Sequence, residues 1–137
     1  SWTIDKKLKR IENAKNENKV QVSAEGQTAI TNYKVIGEHK IQTSKWAEYI
    51  SELEVQILTW RMHQIRVHLA SLWHPIVWDN TYWDKAFNSY IKTQFGLDRQ
   101  ALHAWKIEFF HYNKNKKMNL EAKLKDDLIE FLEKIKG

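Results

Sequence analysis

Cysteine is absent from this chain, which excludes disulfides and thiolate metal sites and fits a reducing compartment. No apolar run approaches the roughly 18 residues of a spanning helix, and no signal-peptide pattern opens the sequence, so a soluble cytoplasmic protein is expected. Proline occurs once, at Pro75. Glycine occurs four times in 137 residues, less than half the usual share of about 7%. Tryptophan is abundant by contrast, with seven. Basic residues exceed acidic ones, 22 against 17, and the net charge of +5 with a pI near 9.3 favours a polyanionic partner. The lysines are spread through the first third and the last quarter rather than gathered in one run. The length suits a single domain or part of one, and neither repeats nor a domain boundary is visible.

Residues 2–5 read as a strand end that runs into a polar, lysine-rich connection through Asn18. Lys19 to Ser23 alternates as a short strand, and Glu25-Gly26-Gln27 carries turn chemistry. Thr28 to Ile36 is β-branched and alternating, hence a strand, with a hairpin or loop over Gly37 to Ala47. Glu48 to Thr59 is the clearest strand, with Leu53, Val55 and Ile57 on one face and Glu52, Glu54 and Gln56 on the other. A helix over Met62 to Leu72 stops before His74-Pro75. Val77 to Leu97 reads as loop plus a short helix near Ala86 to Thr93. A strand over Ala101 to Phe110 turns at Asn113 to Lys116 into a partner carrying Met118, Leu120, Ala122 and Leu124. Lys125 to Lys136 closes as an amphipathic helix with Leu128, Ile129, Leu132 and Ile135 as its apolar face. The class is α+β, with a mixed, mainly antiparallel sheet and flanking helices.

The segment Arg61-Met62-His63-Gln64-Ile65-Arg66-Val67-His68-Leu69 is the most informative. Met62, Ile65, Leu69 and Leu72 fall at i, i+3, i+7 and i+10, one helical stripe. At about 100° per residue, Arg66 projects some 40° from Met62 and so borders that stripe. A guanidinium placed there needs a carboxylate or phosphate partner, because an unpaired buried charge is costly. An Asp or Glu of this chain could supply it as well as a substrate or a second segment. His63 and His68 lie five apart, about 140° round a helix, unlike the same-face pair of a zinc protease, and no metal site is expected. No nucleophile-elbow motif supports a hydrolase.

Together with His74-Pro75-Ile76-Val77-x-Asp79-x-x-Tyr82 and Asp98-Arg99-Gln100-Ala101-Leu102-His103-Ala104, this segment resembles the RluA-type family of RNA pseudouridine synthases. The family reads G-R-T/M-H-Q-I-R-V-H, then G-H-P-I-x-G-D-x-x-Y-G, then D-R-Q-A-L-H-A. Thr3-Ile4-Asp5 and Ala29-Ile30-Thr31-Asn32-Tyr33-Lys34-Val35 resemble two further blocks in the same order, so the match runs along nearly the whole chain. The family's catalytic aspartate lies in H-R-L-D-x-x-T/S-S-G and a base-holding tyrosine in K-x-Y, both upstream of these blocks. Neither motif occurs in this sequence, and Asp5 belongs to a different, non-catalytic block.

The resemblance implies the C-terminal half of a pseudouridine synthase fold, residues 1–137 forming part of a catalytic domain. It implies isomerisation of a uridine in RNA, ribosomal first and transfer RNA second, without metal or organic cofactor. An ionised, oriented aspartate supplies the covalent chemistry, and Arg66 would be its partner. Ile65 and Val67 would line the uracil pocket, and Arg61, His63 and Gln64 would support substrate binding. Arg99 and His103 would be structural or substrate-supporting. Lysines 6, 7, 9, 15, 19, 114, 116 and 117 would add non-specific affinity for RNA, the expected partner alongside the N-terminal half of the domain. The chain alone is expected to be inactive, and marginal or aggregation-prone. The alternative is a non-catalytic RNA-binding remnant, or one half of a split or truncated gene product.

Trp2, Trp60, Trp73, Trp78 and Trp83 each stand where the family pattern has glycine. Trp105 suits its strand, and Trp46 sits in a loop where glycine would also fit. One explanation is that UGA codons meaning glycine have been read as tryptophan. The competing one is a genuine aromatic surface that stacks on RNA bases.

Overall fold

A computed structural model describes residues 1–12, 18–42 and 49–137. Lys15, Trp46 and the expected loop from residue 43 to Ala47 lie outside them. A three-stranded antiparallel sheet in the order β1-β4-β5 is built from β1 (Trp2–Asp5), β4 (Ile30–Lys40) and β5 (Tyr49–Ile57). Two antiparallel hairpins accompany it, β2 (Leu8–Glu12) with β3 (Asn18–Val22), and β6 (Lys106–His111) with β7 (Lys116–Glu121). The helices are α1 (Gln64–Ala70), α2 (Lys85–Phe95) and α3 (Asp126–Lys136). The α+β class with flanking helices therefore holds. Every pairing among the described residues is antiparallel, and the strands form three small sheets rather than one mixed sheet.

Several boundaries differ from the sequence reading for definable reasons. β2 lies inside the stretch read as a polar connection, because among its described side chains only Leu8 is deeply buried and no alternation shows. β4 runs on to Lys40 past a bulge at Ile36, where the register shifts between Val35 and Gly37. β6 starts at Lys106, since residues 101–105 are a loop tied back by the Ala101 N–H to the Val77 carbonyl at 3.0 Å. Gly26 turns the chain against β2, and a Cβ there would lie 2.5 Å from the Leu8 backbone. The chain reverses there through paired bonds between Leu8 and Gln27 at 2.8 and 2.9 Å.

The largest core joins α2 and α3 to the far ends of β4 and β5, through Ile41, Ile50, Phe87, Ile91, Leu97, Leu128, Phe131 and Ile135. Asp84 caps α2 by accepting from the Ala86 and Phe87 amides, and Gly96 ends it at φ 78°. On α3 the inward residues are Leu128, Phe131 and Ile135, whereas Ile129, assigned inward from the sequence, stands in solvent. Fully burying each such side chain contributes about 1.5–3 kcal/mol. Two smaller clusters flank α1, one of Leu8, Val20, Ala29 and Val67, the other of Ile4, Leu69 and Ile76. The β6–β7 hairpin buries nothing deeply: Ile107 opposes Leu120 and Phe109 opposes Met118 on one uncovered apolar face.

Tryptophans at the glycine positions behave unevenly. Trp73 and Trp78 sit at φ 64° and 66°, in the left-handed region that a bulky side chain resists. Trp73 is 86% exposed, and Trp60 and Trp2 also project outward, Trp2 stacking on Tyr33. Trp78 packs against the large core with its indole Nε1 buried and without a partner among the described residues. Trp83 meets Phe87 edge-on.

Candidate active site around Arg66

α1 is held by polar groups as much as by its apolar residues. Met62 is exposed, and the inward face carries Gln64, Val67, His68 and Leu69. The stripe expected from Met62 therefore lies rotated, because Gln64 and His68 find partners on β4. The Gln64 amide donates to the Ile30 carbonyl at 2.9 Å and to Thr31 Oγ1 at 3.0 Å. Its Oε1 accepts from Thr59 Oγ1 at 2.8 Å and the Arg61 N–H at 3.1 Å. His68 Nδ1 lies 2.9 Å from Thr31 Oγ1, and Nε2 lies 2.9 Å from the Lys6 carbonyl. A carbonyl only accepts, so the proton sits on Nε2 and Nδ1 accepts from the Thr31 hydroxyl.

His68 is fully buried, and burial is the main cause that lowers its pKa below the ordinary value. His63 is lowered too, first by burial and then by the Arg66 charge. A histidine depressed in the folded state is stabilising above its unfolded pKa, and that contribution drains away as pH falls from about 6.5 towards the folded value. The chain is thus expected to melt at lower temperature at pH 5.5 than at pH 7.5. His68→Gln should lower stability at both and shrink the difference to the share of His63. Thermal unfolding of both proteins at the two pH values checks this, and an unchanged difference in His68→Gln would refute it.

From the other side of α1, Arg66 reaches the segment that follows Pro75. Its Nε and Nη2 donate to Asp79 Oδ2 and Oδ1 at 2.8 and 2.9 Å, a bidentate pair whose side chains are 12% and 0% exposed. Asp79 Oδ1 also accepts from the Thr81 and Tyr82 amides at 2.9 and 3.1 Å. Burial pushes the Asp79 carboxyl up, but the Arg66 hydrogen bond and these two amides outweigh it and hold the pKa below the usual range. The Asp79 bond likewise raises Arg66. The guanidinium lies 5.0 Å over the Tyr82 ring, a cation–π contact worth roughly 0.5–2 kcal/mol. The Tyr82 hydroxyl accepts the Val20 N–H at 2.9 Å and lies 3.0 Å from His63 Nδ1. His63 takes a left-handed conformation, φ 53°, at the start of α1.

Arg66, Asp79, Tyr82 and His63 therefore form one cluster. Arg61 is exposed at its edge, its Nε donating to the Thr28 carbonyl at 3.1 Å. Ile65 packs beside Ile4, Leu69 and Ile76, and Val67 beside Leu8, Val20 and Ala29. Arg99 is turned to α3, where it makes a bidentate pair with Asp127 at 2.5 and 2.8 Å, and it also bonds the Gln100 and Leu102 carbonyls. His103 Nε2 lies 3.3 Å from the Ala122 carbonyl. No described contact links Arg99 or His103 to Arg66. Asp79 and Tyr82 stood in the quoted H-P-I-V-x-D-x-x-Y block without a role assigned to them. The signal that could have found them is the rule that a cation bordering the core needs a carboxylate, applied to that block's single aspartate.

This fold is shared with solved structures of two human proteins. It superposes on RNA Pseudouridylate Synthase Domain Containing 1 with a TM-score of 0.68 at 20% identity, over 89% of this chain and 47% of that one. For RNA Pseudouridylate Synthase Domain Containing 4 the TM-score is 0.63 at 22% identity, over 98% and 56%. The fold is thus shared with about half of each of these two proteins. No family model matches the chain. Sequence relatives narrow the class: ribosomal large subunit pseudouridine synthase C of Vibrio cholerae is 34% identical over 98% of the chain, and synthase D of Escherichia coli 29% over 96%. Along nearly its whole length the chain matches the RluA-type family of RNA pseudouridine synthases. It spans about two-fifths of the length of these relatives, 41% and 39%.

Proposed function

We propose that these residues are the C-terminal part of a pseudouridine synthase catalytic domain that acts in the cytoplasm on ribosomal RNA of the large subunit. The observation that carries the reading is the half-used guanidinium of Arg66. One edge is clamped by Asp79, while Nη1 bonds to nothing among the described residues. A bidentate clamp fixes the plane of the guanidinium, so Nη1 points in one direction and can take the carboxylate of an aspartate supplied by another segment. In the isomerisation the N1–C1′ glycosidic bond breaks, a C5–C1′ bond forms, and the C5 proton is lost while N1 gains one. That second carboxylate is the nucleophilic group, and Arg66 would keep it ionised and aligned.

Roles follow from the geometry. Gln64 has both its amide and its carbonyl engaged within the fold, so we assign it to positioning α1 rather than to RNA. Ile65 and Val67 seat α1 on its two small cores and set the floor of the site. Arg61 and His63 lie at the rim and would meet RNA phosphate. Arg99 and His103 brace the 98–104 loop. The uncovered face of the β6–β7 hairpin favours the same reading, because a half-domain leaves apolar surface for its other half.

The test joins this chain to the coding sequence that precedes it in frame and measures tritium release from RNA labelled at uridine C5. Release by the longer form, abolished by Arg66→Ala and absent for the isolated chain, is the expected result. Turnover by the isolated chain, or none by a longer form that carries H-R-L-D, would overturn it. An in-frame start with no such segment upstream would leave the RNA-binding remnant as the reading.

A further inference from the structure

We infer that the cavity between β3, the 78–81 turn and the start of α2 is a second nucleotide subsite, which takes a phosphorylated ribonucleotide of the same RNA strand that enters the Arg66 site. The inference rests on the RNA reading above. The cavity measures about 670 Å³, within the range that encloses a small ligand. Lys19 and Lys85 line it, and Asn80, Thr81, Asn88 and Ser89 supply hydrogen-bonding groups, with no acidic side chain among the described lining residues. Two ammonium groups beside neutral donors and acceptors suit a phosphate joined to a ribose and a base.

Asn88 is the specific signal. It is 2% exposed, its amide donates to Asn80 Oδ1 at 3.0 Å, and its own Oδ1 has no partner among the described residues. A buried acceptor left without a donor destabilises a fold, so one that persists on a cavity wall points to a donor from outside. Ribose hydroxyls and base N–H groups are such donors. Residue 78 also lines the cavity, and glycine there would widen it without removing any of these groups. The two sites share a wall. Asp79, which clamps Arg66, precedes Asn80 in the chain, and Val20, whose N–H binds the Tyr82 hydroxyl, follows Lys19. A strand whose target uridine stood at Arg66 would place a neighbouring nucleotide over Lys19 and Lys85.

The experiment measures binding of a short fluorescent single-stranded RNA to the full chain by anisotropy, across a range of salt. It compares Lys19→Gln/Lys85→Gln with an exposed control pair that does not line the cavity, Lys123→Gln/Lys136→Gln. The cavity pair is expected to weaken binding about 10-fold and to flatten the dependence of log K on log salt by roughly 1 to 1.5, as for two lost phosphate contacts. The control pair should change binding less than about 2-fold. Equal losses in the two pairs would mean diffuse attraction and overturn the subsite while leaving the RNA reading intact. An unmodified chain that binds no RNA would overturn both. A second arm follows the Asn88 side-chain amide by NMR: a shift on adding the RNA supports the subsite. A response to uridine monophosphate alone would reassign the cavity to a free nucleotide.

Discussion

Asp79→Ala is expected to destabilise the chain by about 3–5 kcal/mol, because it strands a guanidinium that is nearly closed off from water. Arg66→Ala should cost a similar amount by stranding the carboxylate, whose remaining partners are the two amides of Thr81 and Tyr82. The double variant Arg66→Met/Asp79→Leu should lose much less than the sum, since an apolar pair of similar volume needs neither partner. Urea unfolding of the unchanged chain, Arg66→Met, Asp79→Leu and the double variant completes the cycle, and a coupling energy under about 1 kcal/mol would show the pair to be incidental. The pH dependence follows from the same geometry. Asp79 is depressed in the folded state, so its contribution is complete above the unfolded value near 3.9 and is lost only as pH falls below it. Acid sensitivity setting in just below the ordinary histidine value of about 6.5 therefore belongs to buried His68 and half-buried His63, and sensitivity below about 4 to Asp79.

Trp73→Gly and Trp78→Gly are expected to stabilise the chain, against the usual direction for removing a large side chain. A left-handed conformation costs an L-residue about 1–2 kcal/mol, and glycine adopts it freely. Trp73 has almost no packing to lose at 86% exposure. Trp78 gives up contacts with the α2–α3 core but also a buried N–H without a partner among the described residues. Together the two changes should raise the melting temperature by roughly 5 °C or more. Trp2→Gly should not, since it forfeits the stack on Tyr33 and stands at no positive φ. A fall in melting temperature for Trp73→Gly would count against glycine as the residue made in the cell. Codons settle it independently: UGA at these positions supports misread glycine, and UGG supports genuine tryptophan.

Periodic elements were the legible part of this chain. β5 alternates because one side faces the core and the other water, and α3 keeps a helical stripe because it rests on a single core. α1 was misjudged in rotation, not in existence. Hydropathy cannot show that Gln64 and His68 face inward, since their burial depends on hydrogen bonds to residues more than thirty positions earlier. Arg66 was legible as a residue needing a carboxylate, yet two candidates stayed open, and the carboxylate that holds it in the fold is Asp79 of this same chain. β2 was invisible because its pairing with β3 depends on backbone bonds more than on side-chain pattern.

Gln64, Thr31 and His68 form a relay that runs from the Ile30 carbonyl to the Lys6 carbonyl. Gln64 donates to Thr31, Thr31 donates to His68 and His68 donates to the Lys6 carbonyl, so changing any one leaves a neighbour unanswered. Mutational paths through these positions are therefore narrow: an acceptable alternative has to arrive as a matched set, across segments far apart in the gene. Met62, two residues before Gln64 and open to water, carries no such debt to its neighbours and can drift singly.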